Sequence, residues 1–102
     1  MNIQDFEYKA ERAADLLASM AHKGRLMLLC RLVEGEASVN ALAQTLAMRQ
    51  ATVSQHLSKL RELGLVKPRR DRQTIYYSLR GPEVRAVLET LYDLYCRDGQ
   101  RD

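Results

Sequence analysis

Apolar residues recur along this chain at two different spacings. Between residues 5 and 22, Phe6, Ala10, Ala13, Leu17 and Met20 fall three or four apart, the spacing of one helix face. A second helical run covers about residues 23–34, with Leu26, Leu29, Cys30 and Val33 on one face, and Gly35 stops it as a C-terminal cap. Ser38 then caps a short third helix in which Val39, Leu42, Ala43 and Leu46 face inward. After a break at residues 47–49, a fourth helix over about residues 50–63 buries Val53, Leu57 and Leu60, and Gly64 ends it. The spacing then drops to two. Ile75, Tyr77 and Leu79 alternate with Thr74, Tyr76 and Ser78, and with residues 65–69 they predict a two-stranded hairpin whose tip is residues 70–73. Pro82 opens a last helix, about residues 82–97, with Val84, Val87, Leu88, Leu91, Leu94 and Tyr95 as its apolar positions.

The order helix, helix, helix, helix, hairpin, helix predicts a mainly α fold with a small β-hairpin wing, a winged helix-turn-helix. A chain of 102 residues allows one domain, residues 1–102. The first and last helices carry more apolar surface than a monomer of this size needs. That surplus predicts a homodimer in which they pair across a two-fold axis, the alternative being that both close the monomer's own core.

Net charge is only +3, and its distribution says more than its size. Residues 1–64 are nearly balanced, with eight Lys/Arg against seven Asp/Glu, and residues 81–102 are acidic. Residues 65–80 hold Lys67, Arg69, Arg70, Arg72 and Arg80 against Asp71 alone. A localised excess of this kind suits a polyanion, and a solvated charged loop is the plainer reading. No apolar run reaches the roughly eighteen residues of a membrane span, and the charged first twenty residues do not resemble a signal peptide. The expected location is the cytoplasm, with no membrane partner.

With Val53, Leu57 and Leu60 buried, the other side of the fourth helix presents Gln50, Thr52, Ser54, Gln55, Ser58 and Lys59, with His56 at the edge. Short uncharged side chains that donate and accept hydrogen bonds are what a major-groove helix needs to read base edges. Arg49, Lys59 and Arg61 supply cations for phosphates beside it. Arg69, Arg70 and Arg72 at the hairpin tip would reach backbone or minor groove next door. A polar helix face alone is usually a wet surface. The conjunction of that face with flanking cations and a basic hairpin points to double-stranded DNA.

Cys30 and Cys96 are compatible with two core fillers, a reversible redox pair or half of a metal site. Cys30 shares an apolar face with Leu26, Leu29 and Val33, as a core cysteine would. Cys96 sits beside the apolar stripe of its helix, where Arg97 or Arg31 could favour a thiolate and the helix C-terminus would oppose one. A thiol enzyme would need a Cys-x-x-Cys pair, which is absent, or a Cys–His dyad in a cleft. No enzyme and no cofactor are expected.

The segments Met20–Leu26, Leu42-Ala43, residues 51–66 (ATVSQHLSKLRELGLV) and residues 70–79 (RDRQTIYYSL) resemble the ArsR/SmtB family of bacterial repressors over nearly the whole chain. The resemblance implies a homodimer that represses transcription at an inverted-repeat operator and is released by an inducer. Metal-sensing relatives place Cys-x-Cys on the third helix, where this chain has Ser38 and Asn40, or Asp and His on the last helix, where no histidine follows His56. A zinc site needs about four N, S or O ligands, so no metal is expected at either place. The two cysteines, within Leu28-Leu29-Cys30 and Leu94-Tyr95-Cys96, are instead similar to those of the BigR/SqrR-like subgroup, which senses reactive sulfur species. That resemblance implies that low-molecular-weight persulfides bridge Cys30 and Cys96 through sulfur and control genes for sulfide or persulfide detoxification. A sensor of arsenite or another soft metal through the same two thiols is the rival.

Overall fold

The computed structural model describes residues 1–96. Among these residues six helices and three strands follow one another as α1 (Ile3–Glu7), α2 (Ala10–Met20), α3 (Lys23–Val33), β1 (Ala37–Ser38), α4 (Val39–Leu46), α5 (Gln50–Glu62), β2 (Val66–Asp71), β3 (Thr74–Leu79) and α6 (Pro82–Tyr95). The predicted winged helix-turn-helix is present, with α4 and α5 as the helical pair and β2–β3 as the wing.

The core gathers Leu28, Leu29 and Leu32 of α3, Leu42 of α4, Val53, Leu57 and Leu60 of α5, Val66 of β2 and Val84 of α6, all fully buried. Each such side chain contributes about 1.5–3 kcal/mol by leaving water. Helix α3 lies at the centre and packs on α2, α4, α5, α6 and β3. At its N-terminus His22 is the cap, its Nδ1 accepting from the N–H groups of Gly24 at 3.0 Å and Arg25 at 3.4 Å. Arg25 in turn donates from Nε to the Ser19 carbonyl at 2.6 Å, satisfying the C-terminal end of α2. Among the described residues, no helix is long and apolar enough to cross a membrane.

Four expectations need correction. The first helix is two: Lys9, at φ −109° and ψ 0°, donates back to Phe6 O at 2.8 Å, a tight turn that separates α1 from α2. The sheet has three strands in the order β1-β3-β2, because Ala37 and Ser38 pair with Tyr77 and Tyr76. Two residues are too few to leave a periodic trace in the sequence.

The wing is also longer than predicted, with β2–β3 pairing running to Asp71↔Thr74. Arg69 and Arg70 are therefore strand residues, and only Arg72 and Gln73 make the turn. Arg72 takes φ +60°, where a hairpin turn favours glycine, so the usual sequence signal is missing. Finally, Cys30 is exposed and off the buried stripe of Leu28, Leu29 and Leu32. Apolar residues surround α3 on most sides, so more than one stripe fits its period, and packing against α4, α5 and β3 selects the one that goes inward.

Candidate nucleic-acid interface and thiol pair

The turn between α4 and α5 is fixed by local bonds. Ser38 Oγ accepts from the Ala41 N–H at 3.1 Å and starts α4. At its end Ala47 takes φ +54°, and the Met48 N–H reaches back to Ala43 O at 3.0 Å. This closure turns the chain sharply enough for Arg49 to open α5 two residues later. Arg49 gives no side-chain cap, which leaves the first N–H groups of α5 without side-chain partners, a favourable end for an anion.

Burial of Val53, Leu57 and Leu60 turns Ser54, Gln55, Ser58 and Lys59 to the surface, while Thr52 and His56 are half-buried. Ala51 is also exposed on this side and was not singled out in the sequence. Three polar groups of α5 already have partners within the protein. Gln50 Nε2 donates to Asn40 Oδ1, joining the start of α5 to the start of α4. Lys59 Nζ lies 3.5 Å from Glu62 Oε1, an exposed pair one turn apart. The His56 ring packs 4.9 Å from the His22 ring at a 59° tilt, so His56 faces the start of α3. Its pKa is lowered, first by burial and then by the charges of His22 and Arg25.

In the wing, Arg69, Arg70 and Arg72 are all exposed, and Arg69 is also bound to its neighbours. Arg69 Nη2 and Nε donate to the two carboxylate oxygens of Glu36 at 2.6 and 3.1 Å. Its guanidinium also sits 4.9 Å from the centroid of the Tyr76 ring. These hydrogen bonds hold the Glu36 carboxyl below the ordinary carboxylate range.

Cys30 and Cys96 are both free and exposed. Cys30 lies in the last two turns of α3, and Cys96 is the residue that ends α6, its N–H bonded to Tyr92 O at 2.8 Å. Arg85 Nη1 donates to the Val33 carbonyl at 3.3 Å and ties α6 to the end of α3. The Cys30 thiol, exposed at its surface but partly enclosed by its surroundings, is pushed up, first by that partial desolvation and then by the charge of Cys96. The helices that carry the two thiols, α3 and α6, pack against each other. Arg31 donates instead to the Gly35 carbonyl at 3.4 Å, and Arg97 lies outside the described residues. Elsewhere a cavity of about 420 Å³ opens between α2 and the start of α6, lined by Arg12, Leu16, Leu65, Arg80 and Val84 among others, with none of the predicted site residues.

Helix pair, three-stranded sheet and exposed basic wing together define a winged helix-turn-helix regulator that binds DNA and is not an enzyme. Comparison with known proteins agrees. Residues 22–67 match the family described as bacterial regulatory protein, arsR family. The transcriptional activator HlyU of Vibrio cholerae is 43% identical over 98% of this chain and 93% of its own length. Among solved structures, the transcriptional repressor BigR from Xylella fastidiosa superimposes with a TM-score of 0.90 at 41% identity, covering 96% of this chain and 100% of that one. Reduced HlyU from Vibrio cholerae gives 0.85 at 42% identity, over 92% and 99% of the two chains. The chain belongs to the arsR family of bacterial transcriptional regulators.

Proposed function

We propose that the chain is a homodimeric repressor that holds an inverted-repeat operator while its thiols are reduced and lets go when Cys30 and Cys96 are bridged through sulfur. On this reading Thr52, Ser54, Gln55 and Ser58 face the major groove, and Gln50 stands at the edge of that face while it holds the start of α5 to α4. Arg49, Lys59, Arg70 and Arg72 meet phosphates, with His56 and Arg69 close behind them. Exposed Ile3, Phe6 and Leu17 on α1–α2, and Tyr92, Leu94 and Tyr95 on α6, supply an apolar surface for a second copy of the chain.

The observation that carries the sensing half is the packing of α3 on α6, tied by the Arg85–Val33 bond, with one exposed cysteine on α3 and the other at the end of α6. Each thiolate takes the outer sulfur of a persulfide RSSH and expels RSH, giving two cysteine persulfides. The terminal sulfur of one then attacks the inner sulfur of the other, forming a trisulfide and expelling hydrosulfide. A direct disulfide needs Cα atoms within about 7 Å, and an inserted sulfur relaxes that limit, which favours persulfide over peroxide. Tension between α3 and α6 reaches α5 through the packing of α3 on α5 and through the His22–His56 contact. A coupling of about 1–3 kcal/mol changes operator affinity roughly 5- to 150-fold.

The test is an operator titration with reduced, persulfide-treated and arsenite-treated protein, each weighed intact. Persulfide treatment should add one sulfur, remove two hydrogens and release the DNA, and Cys96→Ser should bind DNA but ignore the treatment. Retention of arsenic with release of DNA would transfer the role to a soft-metal sensor. Among the described residues no three His, Cys, Asp and Glu side chains gather, so that rival would rest on the two thiols alone.

A further inference from the structure

Arg69 differs from the other two wing cations in what surrounds it. In the sheet order β1-β3-β2 it belongs to one outer strand, while Glu36 immediately precedes the other. Tyr76 lies between them on β3, directly opposite Arg69 in one ladder and Ser38 in the other. The Arg69 side chain therefore crosses the face of Tyr76 and closes on Glu36 with two parallel bonds of 2.6 and 3.1 Å. β1 has only two residues to hold it in the sheet. A planar guanidinium can stack and bind a carboxylate with two donors at once, and a lysine can do neither. Among the described residues, Arg70 and Arg72 make no comparable bonds to the sheet.

The geometry points to Arg69 as a positioning residue that fixes the wing against the segment leading into α4, with phosphate contact left to Arg70 and Arg72. The inference rests on the DNA-binding reading, and it assigns opposite signs to a substitution that simple electrostatics treats one way. Replacing Glu36 by glutamine removes a negative charge near the DNA face. If Arg69 were a phosphate contact restrained by Glu36, Glu36→Gln would free it, tighten binding and steepen the salt dependence. If Arg69 positions the wing, Glu36→Gln loosens the wing and weakens binding.

The experiment measures affinity against salt for a duplex selected by the wild-type protein from a random pool, together with amide hydrogen exchange of the DNA-free protein. Glu36→Gln, Arg69→Lys and Arg69→Ala should each weaken binding at least about twofold, the scale of an exposed pair held in one geometry. The Glu36→Gln, Arg69→Ala double variant should be no weaker than either single one. The salt slope should stay near wild type in Arg69→Lys, whereas Arg70→Ala and Arg72→Ala should each flatten it by about one phosphate contact. Without DNA, exchange of the β1–β3 amides should speed up in Arg69→Lys. Tighter binding by Glu36→Gln, or wild-type affinity with unchanged exchange in Arg69→Lys, would overturn the assignment. Salt slopes in Arg70→Ala and Arg72→Ala equal to wild type would instead remove the wing from the DNA reading, and the exchange arm would still decide the role of Arg69.

Discussion

Gly24 stands at the second position of α3, where two histidines close over it. A Cβ added there would lie 3.1 Å from His22 Cε1, 3.1 Å from His56 Nε2 and 3.3 Å from His22 Nδ1. Alanine normally stabilises a helix relative to glycine by about 0.5–1 kcal/mol. Here the ring atoms must give by a few tenths of an ångström. His22 can move only by stretching the 3.0 Å bond from the Gly24 N–H, which is the cap of the helix. Losing a cap costs about 1 kcal/mol, within a range of 0.5–2. Pushing His56 off its rotamer adds about 0.5–1.5 kcal/mol. The balance predicts that Gly24→Ala destabilises the protein by about 1 kcal/mol, read as a lower urea midpoint at unchanged slope and fixed protomer concentration. Part of that loss should vanish in a His56→Ala background, giving a measurable coupling between the two sites. A Gly24→Ala protein more stable than wild type would refute the reasoning, because helix propensity would then have outweighed the close approach.

Three further outcomes follow from the same contacts. Leu57→Ala, at a fully buried position of α5, should lose about 2–5 kcal/mol in chemical denaturation, and a loss below about 1 kcal/mol would show that the site collapses freely. Because Cys30 is raised by partial desolvation and by Cys96, its thiol should titrate above an ordinary cysteine, and in Cys96→Ser lower than in wild type but still raised; alkylation rate against pH reads both. His56 has a lowered pKa in the folded protein, so the unfolded chain takes up the proton first as pH falls. Its share of stability is complete above the ordinary histidine value and is lost as pH drops below it, so Tm should fall more between about pH 7.5 and 5.5 in wild type than in His56→Gln.

Most of the fold was legible because its elements announce themselves by period and punctuation. Val53, Leu57 and Leu60 mark α5, Ser38 caps α4 as expected, and the alternation over Ile75–Leu79 marks β3. What stayed hidden had no periodic trace. The two residues of β1 are held by pairing with Tyr76 and Tyr77, a long-range event. The wing turn places arginine where glycine is usual, so the strand read as ending early. The break between α1 and α2 at Tyr8-Lys9 uses neither proline nor glycine.

The site divides along a different line. Sequence reasoning treats a polar side chain as available to a ligand unless something nearby in the chain occupies it. Lys59 and Glu62 are three apart, so their pairing was open to inspection. Gln50 with Asn40, His56 with His22 and Arg69 with Glu36 are separated by ten, 34 and 33 residues, and only the fold brings them together. Each joins two elements that must keep their relative placement if α5 and the wing are to meet one duplex together. A basic or polar residue beside a DNA-binding face is therefore not equivalent to its neighbours. On the proposed reading, those with a carboxylate, amide or ring partner on another element set where the face lies. On that same reading, those without such a partner among the described residues, such as Gln55, Arg70 and Arg72, are left to meet the nucleic acid.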